Sequence, residues 1–230
     1  MPHDAPRNKI QSARERGAQV LLCKSHSPSR EEAASQMAAE LAHKHGQTLL
    51  HPFDDLLLIK GQASVAIELD EQLQSAGITP DDIVCPVGGG SLLAGTSMVF
   101  HPRSQVTAAE PEGFASMGLS LLNNEVTRAE GNQPCDCDAL QALVPGKANF
   151  NVLQHRGHEG LTVSPHKVRE AMSMAFHELK LVLEPSGAIA LAAVLEHSSR
   201  FMKKNVVVIA TGGNVDHSAF FRHLDSISAG

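Results

Sequence analysis

The segment that decides the fold is Val84-Cys85-Pro86-Val87-Gly88-Gly89-Gly90-Ser91-Leu92-Leu93-Ala94-Gly95. An apolar run with β-branched residues is followed by three glycines and then by small and apolar residues, which predicts a strand, a bare turn and a helix. Glycine permits positive φ and close approach of a ligand, and the helix start adds unpaired N–H groups and a positive dipole end. The pattern predicts an anion-binding loop with phosphate as the preferred ligand, although such turns also occur where close packing is the only requirement.

Composition restricts the class of protein. With 230 residues, 42% of them hydrophobic, the chain is able to bury one sizeable core or two small ones. A net charge of -6 and an aromatic content of 3%, without Trp or Tyr, argue against a nucleic-acid partner. Because the sequence shows neither an apolar run of membrane-spanning length nor a signal-peptide pattern, we expect a cytoplasmic protein without a membrane partner.

Four cysteines are present, Cys23, Cys85, Cys135 and Cys137. A single residue separates Cys135 from Cys137, which fits neither a disulfide framework nor a CxxC pair, so we expect reduced thiols. The last two could form a metal site or an exposed loop pair without function. The spacing favours the loop pair.

Strands and helices alternate along the chain, which predicts an α/β fold with mostly parallel strands and helices on both faces of the sheet. Helical patterns cover residues 30–45, 62–76, 91–100, 164–180 and 189–195, with Asp4 capping an earlier helix and Ser29 and Glu32 forming a capping box. Besides the strand before the glycines, strands are expected at residues 18–23, 48–50, 105–109, 160–163 and 206–210. Residues 123–158 are expected to be irregular surface structure broken by short helical pieces. The expected lobes are residues 1–60, the remainder of a small lobe, and residues 61–230, a large cofactor-binding lobe.

Three loops in chain order carry a family resemblance: residues 86–92, the run Glu184-Pro185-Ser186-Gly187-Ala188, and the run Thr211-Gly212-Gly213-Asn214-Val215-Asp216. With these loops the chain resembles the threonine/serine dehydratase and serine racemase family. These are enzymes of fold-type II, with the tryptophan synthase β-like architecture, and they use pyridoxal 5′-phosphate (PLP). The resemblance runs over essentially the whole chain and implies a homo-oligomer, expected to be a dimer, that acts on a small hydroxy-amino acid.

The resemblance also implies site residues. Backbone amides of Gly88, Gly89, Gly90, Ser91 and Leu92 would hold the cofactor phosphate. The Thr211 hydroxyl would bind the pyridine nitrogen, and Glu184 and Gly212 would line the cofactor pocket. Considered without the loops, Thr211 is also compatible with an ordinary strand-end hydroxyl and Glu184 with an acid at a helix start.

The expected reaction is β-elimination of the amino acid to a keto acid and ammonia. A hydroxyl at the pyridine nitrogen does not force a full positive charge on the ring, which suits prompt loss of a β-leaving group. The family's Schiff-base lysine lies in a Ser-(Phe/Tyr)-Lys-x-Arg motif, and none of the nine lysines of this sequence has that context. We therefore expect an N-terminally incomplete fold, no catalytic lysine and no activity of this chain alone. The alternative is a non-catalytic remnant that binds PLP or another phosphate ligand, or serves as an oligomerisation partner.

Glu110, at the carboxyl end of a predicted strand, matches a divalent-cation ligand of some relatives. Ser116 stands where those relatives have an acidic ligand, which removes a hard charged oxygen and argues against Mg²⁺ or Ca²⁺ binding. A plain strand-end acid is the other interpretation of Glu110. The sequence does not decide between dehydratase and racemase chemistry.

Overall fold

The computed structural model describes residues 1–24 and 30–225. It divides into two compact units, Met1–His51 and one that begins at Pro52. The first unit contains α1 (Arg7–Glu15) and α2 (Arg30–His45). The second contains α3 (Leu56–Ala76), β1 (Asp82–Pro86), α4 (Ser91–Phe100), β2 (Gln105–Pro111), α5 (Ser116–Asn123), α6 (Lys147–Leu153), β3 (Glu159–Val163), α7 (Pro165–Leu179), α8 (Pro185–Glu196), α9 (Ser198–Phe201), β4 (Val206–Val208) and α10 (His217–Asp225). Within the described residues, no helix is both long enough and apolar enough to cross a membrane.

The strands predicted in the first unit, at residues 18–23 and 48–50, are wrong. In the described part of this unit, strand-type pairing is limited to an isolated bridge between Pro2 and Cys23. An apolar run without a neighbouring strand cannot satisfy its N–H and C=O groups in a ladder, so it stays irregular. Its side chains are correspondingly exposed, as Leu50 shows at 84%.

The helix ends in the first unit agree only in part with those predicted from the sequence. Helix α2 has the predicted bounds, whereas the capping box cannot be compared because Ser29 lies outside the described residues. The residue at the N-cap of α1 is Pro6, and the prediction of Asp4 at that position is wrong. Proline presets φ near its helical value and lacks an N–H that would need a partner, so it suits a helix start.

The second unit is built on a parallel sheet of order β3-β2-β1-β4, which confirms the predicted α/β fold. Strand β1 lies inside the sheet, where Val84 pairs with Thr107 of β2 and with Val208 of β4. Because all pairs are parallel, the carboxyl ends of the strands meet at one edge. In open α/β sheets this is the edge at which ligands bind.

Helices cover both faces of the sheet. Successive residues of β1 point to opposite faces, so Ile83 and Cys85 pack with α3, α4 and α6, whereas Val84 packs with α7 and α8. Helix α8 is rich in alanine and starts at Pro185, four residues before the predicted start. These small side chains let the helix lie close to the buried strands.

Helix α3 begins at Leu56, not at residue 62 as predicted. The Asp55 side chain caps it by accepting from the N–H groups of Leu57 and Leu58. The hydrophobic residues of the run before residue 62 are consecutive, so they show no helical spacing. Leu57 is in fact 76% exposed, so helical periodicity is hidden there by apolar residues on the outer face.

The prediction that residues 123–158 form irregular surface structure is correct for irregularity and wrong for the surface. Apart from α6 the segment has no helix or strand among the described residues, yet it contributes buried side chains to the core, namely Ala129, Cys137, Leu140, Leu143, Phe150 and Leu153. A composition rich in Asn, Gly and Pro indicates the lack of regular structure but not the depth at which the chain lies.

The crossing of α3 and α4 depends on Gly95. A Cβ placed there would lie 2.7 Å from the backbone N of Ala63 and 2.9 Å from the carbonyl O of Ile59. We predict that Gly95→Ala lowers the free energy of unfolding by about 1–3 kcal/mol, because backbone must move to admit the methyl group. Urea denaturation followed by far-UV circular dichroism measures this, since the chain has no Trp or Tyr.

The matched control is Gly61→Ala on α3. A Cβ there meets no described atom within 4 Å. This variant is expected to be more stable by up to about 1 kcal/mol, because alanine has the higher helix propensity. Equal behaviour of the two variants would contradict the role given to Gly95.

Candidate functional site

The glycine loop lies at the carboxyl end of β1 and leads directly into α4. Gly90 is the N-cap of α4 with a φ of 101°, a left-handed conformation that favours glycine. Among the described residues, no acceptor is bonded to the N–H groups of Gly88, Gly89, Gly90, Ser91, Leu92 or Leu93. Six consecutive donors, ending in the first turn of a helix, form a cradle for an anion.

The carbonyl of Gly89 is the point at which this loop is fixed. It accepts from the backbone N–H of Gly146 at 2.9 Å and from Nδ2 of Asn149 at 2.7 Å. The same Asn149 amide donates to the carbonyl of Phe53 at 3.1 Å. Asn149 is fully buried on α6.

Sequence reasoning missed Asn149. The available signal was an amide side chain within a short apolar helical segment, Lys147–Leu153. Buried amides need hydrogen-bond partners, so such a residue indicates a specific contact. What the spacing could not supply was the partner, 60 residues away in the chain.

The bare Cα atoms of the loop serve packing as well. A Cβ on Gly89 would fall 2.1 Å from the ring of Phe53, and one on Gly88 would fall 3.0 Å from the carbonyl O of Ala139. The glycines therefore serve both predicted purposes, anion binding and close packing. Side chains are excluded on the packed side, while the N–H groups remain unbonded.

The other two loops of the resemblance also lie together. The backbone N–H of Glu184 donates to the carbonyl of Gly212 at 2.9 Å, and that of Thr211 to Gly187 at 3.3 Å. A Cβ on Gly187 would meet the Gly212 carbonyl at 2.3 Å, and one on Gly212 would meet Oε1 of Glu184 at 2.3 Å. The half-buried Glu184 carboxylate thus lies against the bare backbone of Gly212, beside the exposed Thr211.

A short connection joins this pair of loops to the glycine loop. The N–H of Ala139 donates to Oγ of Ser186 at 3.2 Å, while the Ala139 carbonyl lies next to Gly88. Because β1 and β4 are neighbours in the sheet, the loops that follow them share one part of its edge. The structure thus groups every predicted cofactor residue at this edge.

Glu110 has a separate role on β2. It is fully buried, and its two carboxylate oxygens accept from the N–H groups of Met117 at 2.8 Å and Gly118 at 2.7 Å. Burial raises the pKa of Glu110 to about 8, against the lowering effect of these two hydrogen bonds. These contacts agree with the interpretation of Glu110 as a plain strand-end acid. Its carboxylate accepts from N–H groups at the start of α5.

Ser116, at the position of an acidic metal ligand, donates instead to the carbonyl of Ala142 at 3.1 Å. Within residues 1–24 and 30–225, no group of three or more His, Cys, Asp or Glu side chains is placed to hold a metal ion. Among the described residues, Glu110 therefore belongs to no such group.

Comparison with known proteins identifies the family. Residues 1–212 match the model of the pyridoxal-phosphate dependent enzyme family, and this chain belongs to it. Serine racemase of Dictyostelium discoideum is 34% identical over 98% of this chain and 68% of its own length. The β-hydroxyaspartate dehydratase of Paracoccus denitrificans is 34% identical over 94% of this chain and 66% of its own length.

Solved structures agree with this assignment. The crystal structure of a threonine deaminase from T.th. superposes with a TM-score of 0.84 at 36% identity, covering 94% of this chain and 69% of the other. The fold-type II architecture is thereby confirmed, with PLP as the cofactor of the family. This chain spans between 52% and 68% of the length of the curated relatives compared with it.

The residues present fit that cofactor. The unbonded amides suit a phosphate, and the bare Cα atoms leave space for it above the backbone. On the β4 side, the Thr211 hydroxyl can donate to or accept from a ring nitrogen, and the Glu184 carboxylate lies beside it. The amides of the glycine loop thus suit the dianionic phosphate, and the Thr211 hydroxyl suits the ring nitrogen.

We predict that Asn149→Ala weakens anion binding at the cradle. The Gly89 carbonyl then keeps only its bond from the Gly146 N–H and is less firmly fixed. A loss of about 1.4 kcal/mol in ordering of the loop lowers affinity about tenfold. Inorganic phosphate should then raise the melting temperature of the variant less than that of the parent chain. The exposed Asn151 on the same helix provides the control Asn151→Ala, for which the phosphate effect should equal that of the parent chain.

Glu110 is predicted to make stability pH-dependent. Its pKa is raised from 4.5 in the unfolded chain to about 8 in the folded one. Its contribution to stability is therefore full below pH 4.5 and is lost as the pH rises through 8. Relative to Glu110→Gln, the parent chain should lose up to about 1.4 kcal/mol of unfolding free energy per pH unit in this window.

Urea titrations at several pH values measure this difference. The exposed neighbour Glu112 supplies the control Glu112→Gln, whose stability curve should run parallel to that of the parent chain. A Glu110→Gln curve parallel to the parent curve would contradict the prediction.

Proposed function

We propose that this chain forms the cofactor-binding part of a PLP-dependent hydroxy-amino-acid lyase of the threonine/serine dehydratase type. The observation that carries the proposal is the row of N–H groups from Gly88 to Leu93 without acceptors among the described residues. Names of the relatives add support, since they include a β-hydroxyaspartate dehydratase, an L-threonine ammonia-lyase and a threonine deaminase.

When bound, PLP would supply an electron sink for the α-carbon of an amino acid. The amides of Gly88 to Leu92 bind the cofactor phosphate, and the dipole of α4 favours its negative charge. Glu184 and Gly212 limit the space beside the ring. Thr211 presents a neutral hydroxyl to the ring nitrogen.

The neutral partner at the ring nitrogen suits elimination but does not by itself separate dehydratase from racemase chemistry. A hydroxyl leaves the nitrogen without a full positive charge, so the ring withdraws electrons less strongly than one paired with a carboxylate. Weak withdrawal suits prompt departure of a β-hydroxyl. Serine racemases are also among the relatives, so substrate assays must follow both ammonia release and the chirality of recovered serine.

For these 230 residues alone we propose binding without turnover. The lysine motif of the family is not found in the sequence, and Lys147, at the start of α6, is exposed. The same observation favours the second candidate, a non-catalytic protein that binds PLP or another phosphate ligand.

We also propose a cytoplasmic homo-oligomer, expected to be a dimer. The homo-oligomer is supported by the exposure of large apolar side chains, among them Leu57 at 76% and Leu122 at 83%. Such residues commonly become covered in assemblies.

The test compares PLP with pyridoxal, which has the same ring without the phosphate. PLP is expected to raise the melting temperature by several degrees, and pyridoxal at equal concentration by much less, because the amides bind the phosphate. Borohydride reduction followed by peptide mapping is expected to show no single labelled lysine. Equal effects of the two ligands would overturn the proposed site, whereas stoichiometric labelling of one lysine would overturn the proposal of binding without turnover.

A further inference from the structure

The connection between α5 and α6 carries Cys135 and Cys137, which the cofactor site leaves unused. The exposed loop pair predicted from their spacing is wrong. Cys137 is 2% exposed and belongs to the core formed with α7 and α8, and Cys135 packs partly buried against the same core. One thiol is therefore accessible while its neighbour is enclosed.

The two cysteines are in contact across the turn. Sγ of Cys135 donates to the Cys137 carbonyl at 3.8 Å. The neighbouring Cys137 side chain lowers the pKa of Cys135, whereas the Cys135 side chain and burial raise the pKa of Cys137. Thiolate character thus concentrates on the accessible sulfur.

The turn between the thiols is held by the rest of the fold. Nη1 of Arg169 on α7 donates to Oδ2 of Asp136 at 2.6 Å, and Nδ1 of His223 on α10 lies 3.8 Å from the same oxygen. Nε2 of Gln141 donates to the Cys135 carbonyl at 3.1 Å. These contacts hold the turn that carries both cysteines against α7 and α10.

We propose that Cys135 and Cys137 are a reversible redox dithiol, in which Cys135 attacks a peroxide and Cys137 resolves the product as an intrachain disulfide. The Cys135 thiolate attacks one oxygen of hydrogen peroxide, the O–O bond breaks, and Cys135 sulfenic acid and hydroxide form. The Cys137 sulfur then attacks the sulfenic sulfur, and its proton leaves with the hydroxyl as water. Each sulfur is oxidised by one electron, and peroxide is reduced to two waters. A dithiol reductant restores both thiols by exchange.

The dithiol is positioned to affect the anion cradle. Two residues after Cys137, Ala139 donates its N–H to Ser186 and places its carbonyl against Gly88. A disulfide across Asp136 draws Cys137 out of its buried position and shifts this neighbouring backbone. We expect weaker phosphate binding in the oxidised state, a consequence that rests on the proposed function, whereas the disulfide itself does not.

Mass spectrometry provides the direct test. Reduced protein is treated with one equivalent of hydrogen peroxide, alkylated and cleaved with trypsin. Cleavage after Arg128 and Lys147 releases residues 129–147, which contain Cys135 and Cys137 but neither Cys23 nor Cys85. The expected result is loss of about 2 Da in this peptide, no alkylation of either cysteine, and full reversal by dithiothreitol.

Internal controls and variants sharpen the result. Cys85 is fully buried, and burial raises its pKa to about 12, so it should stay reduced. Cys137→Ser should convert the response to oxygen addition at Cys135, and Cys135→Ser should leave Cys137 reduced. Recovery of both thiols in the parent chain, sulfinic acid at Cys135, or bridges to Cys23 would each overturn the proposal.

The effect on the cradle is measured separately. The PLP-induced rise in melting temperature is compared for reduced and oxidised protein, with Cys135→Ser as the variant that peroxide should not affect. A smaller rise in oxidised parent protein is expected. An equal rise would overturn the link to the cradle while the disulfide stands, and no rise in either form would count against the proposed cofactor site.

Discussion

The site depends on where the carbonyl of Gly89 points. In a regular helix start it could accept from the N–H of Leu93 four residues later. Here it is bonded instead to Gly146 and to the Asn149 side chain, at 2.9 and 2.7 Å. The N–H of Leu93 consequently remains available to a ligand. The positive φ of Gly90 turns the chain, so that the N–H groups before it belong to the same binding loop. The loop is able to bind an anion because Asn149 on the distant helix α6 occupies the Gly89 carbonyl.

The irregular connection between α5 and α6 therefore organises the site as much as the sheet does. It supplies the donors that fix Gly89, and through Ala139 it joins the glycine loop to Ser186. Short backbone-to-backbone approaches, such as that of Gly187 to Gly212, bring the remaining loop into contact without side chains. Regular strands set the edge of the site, while the loops determine its shape.

Sequence patterns predicted the elements whose residues contact near neighbours. The glycine turn, the buried strand before it and helix α4 depend on local conformation and continuous apolar runs, and α4 was predicted to the residue. Predictions failed where distant partners decide the outcome. Residues 48–50 form no strand because the described chain offers no neighbour, and Asn149 could not be connected to Gly89 from spacing alone. The resemblance identified the three loops, but their contact through Ala139 required the fold.

The unbonded amides of the glycine loop have a further consequence for exchange with solvent. Strand β1 just before them is paired on both sides and buried, so its amides exchange only through large openings of the fold. Between Gly88 and Leu93, by contrast, no hydrogen bond to a described residue protects the amide protons. The loop is thus a short fast-exchanging stretch beside a slowly exchanging strand. Slowed exchange confined to these six amides would report that the cradle is filled, independently of any reaction.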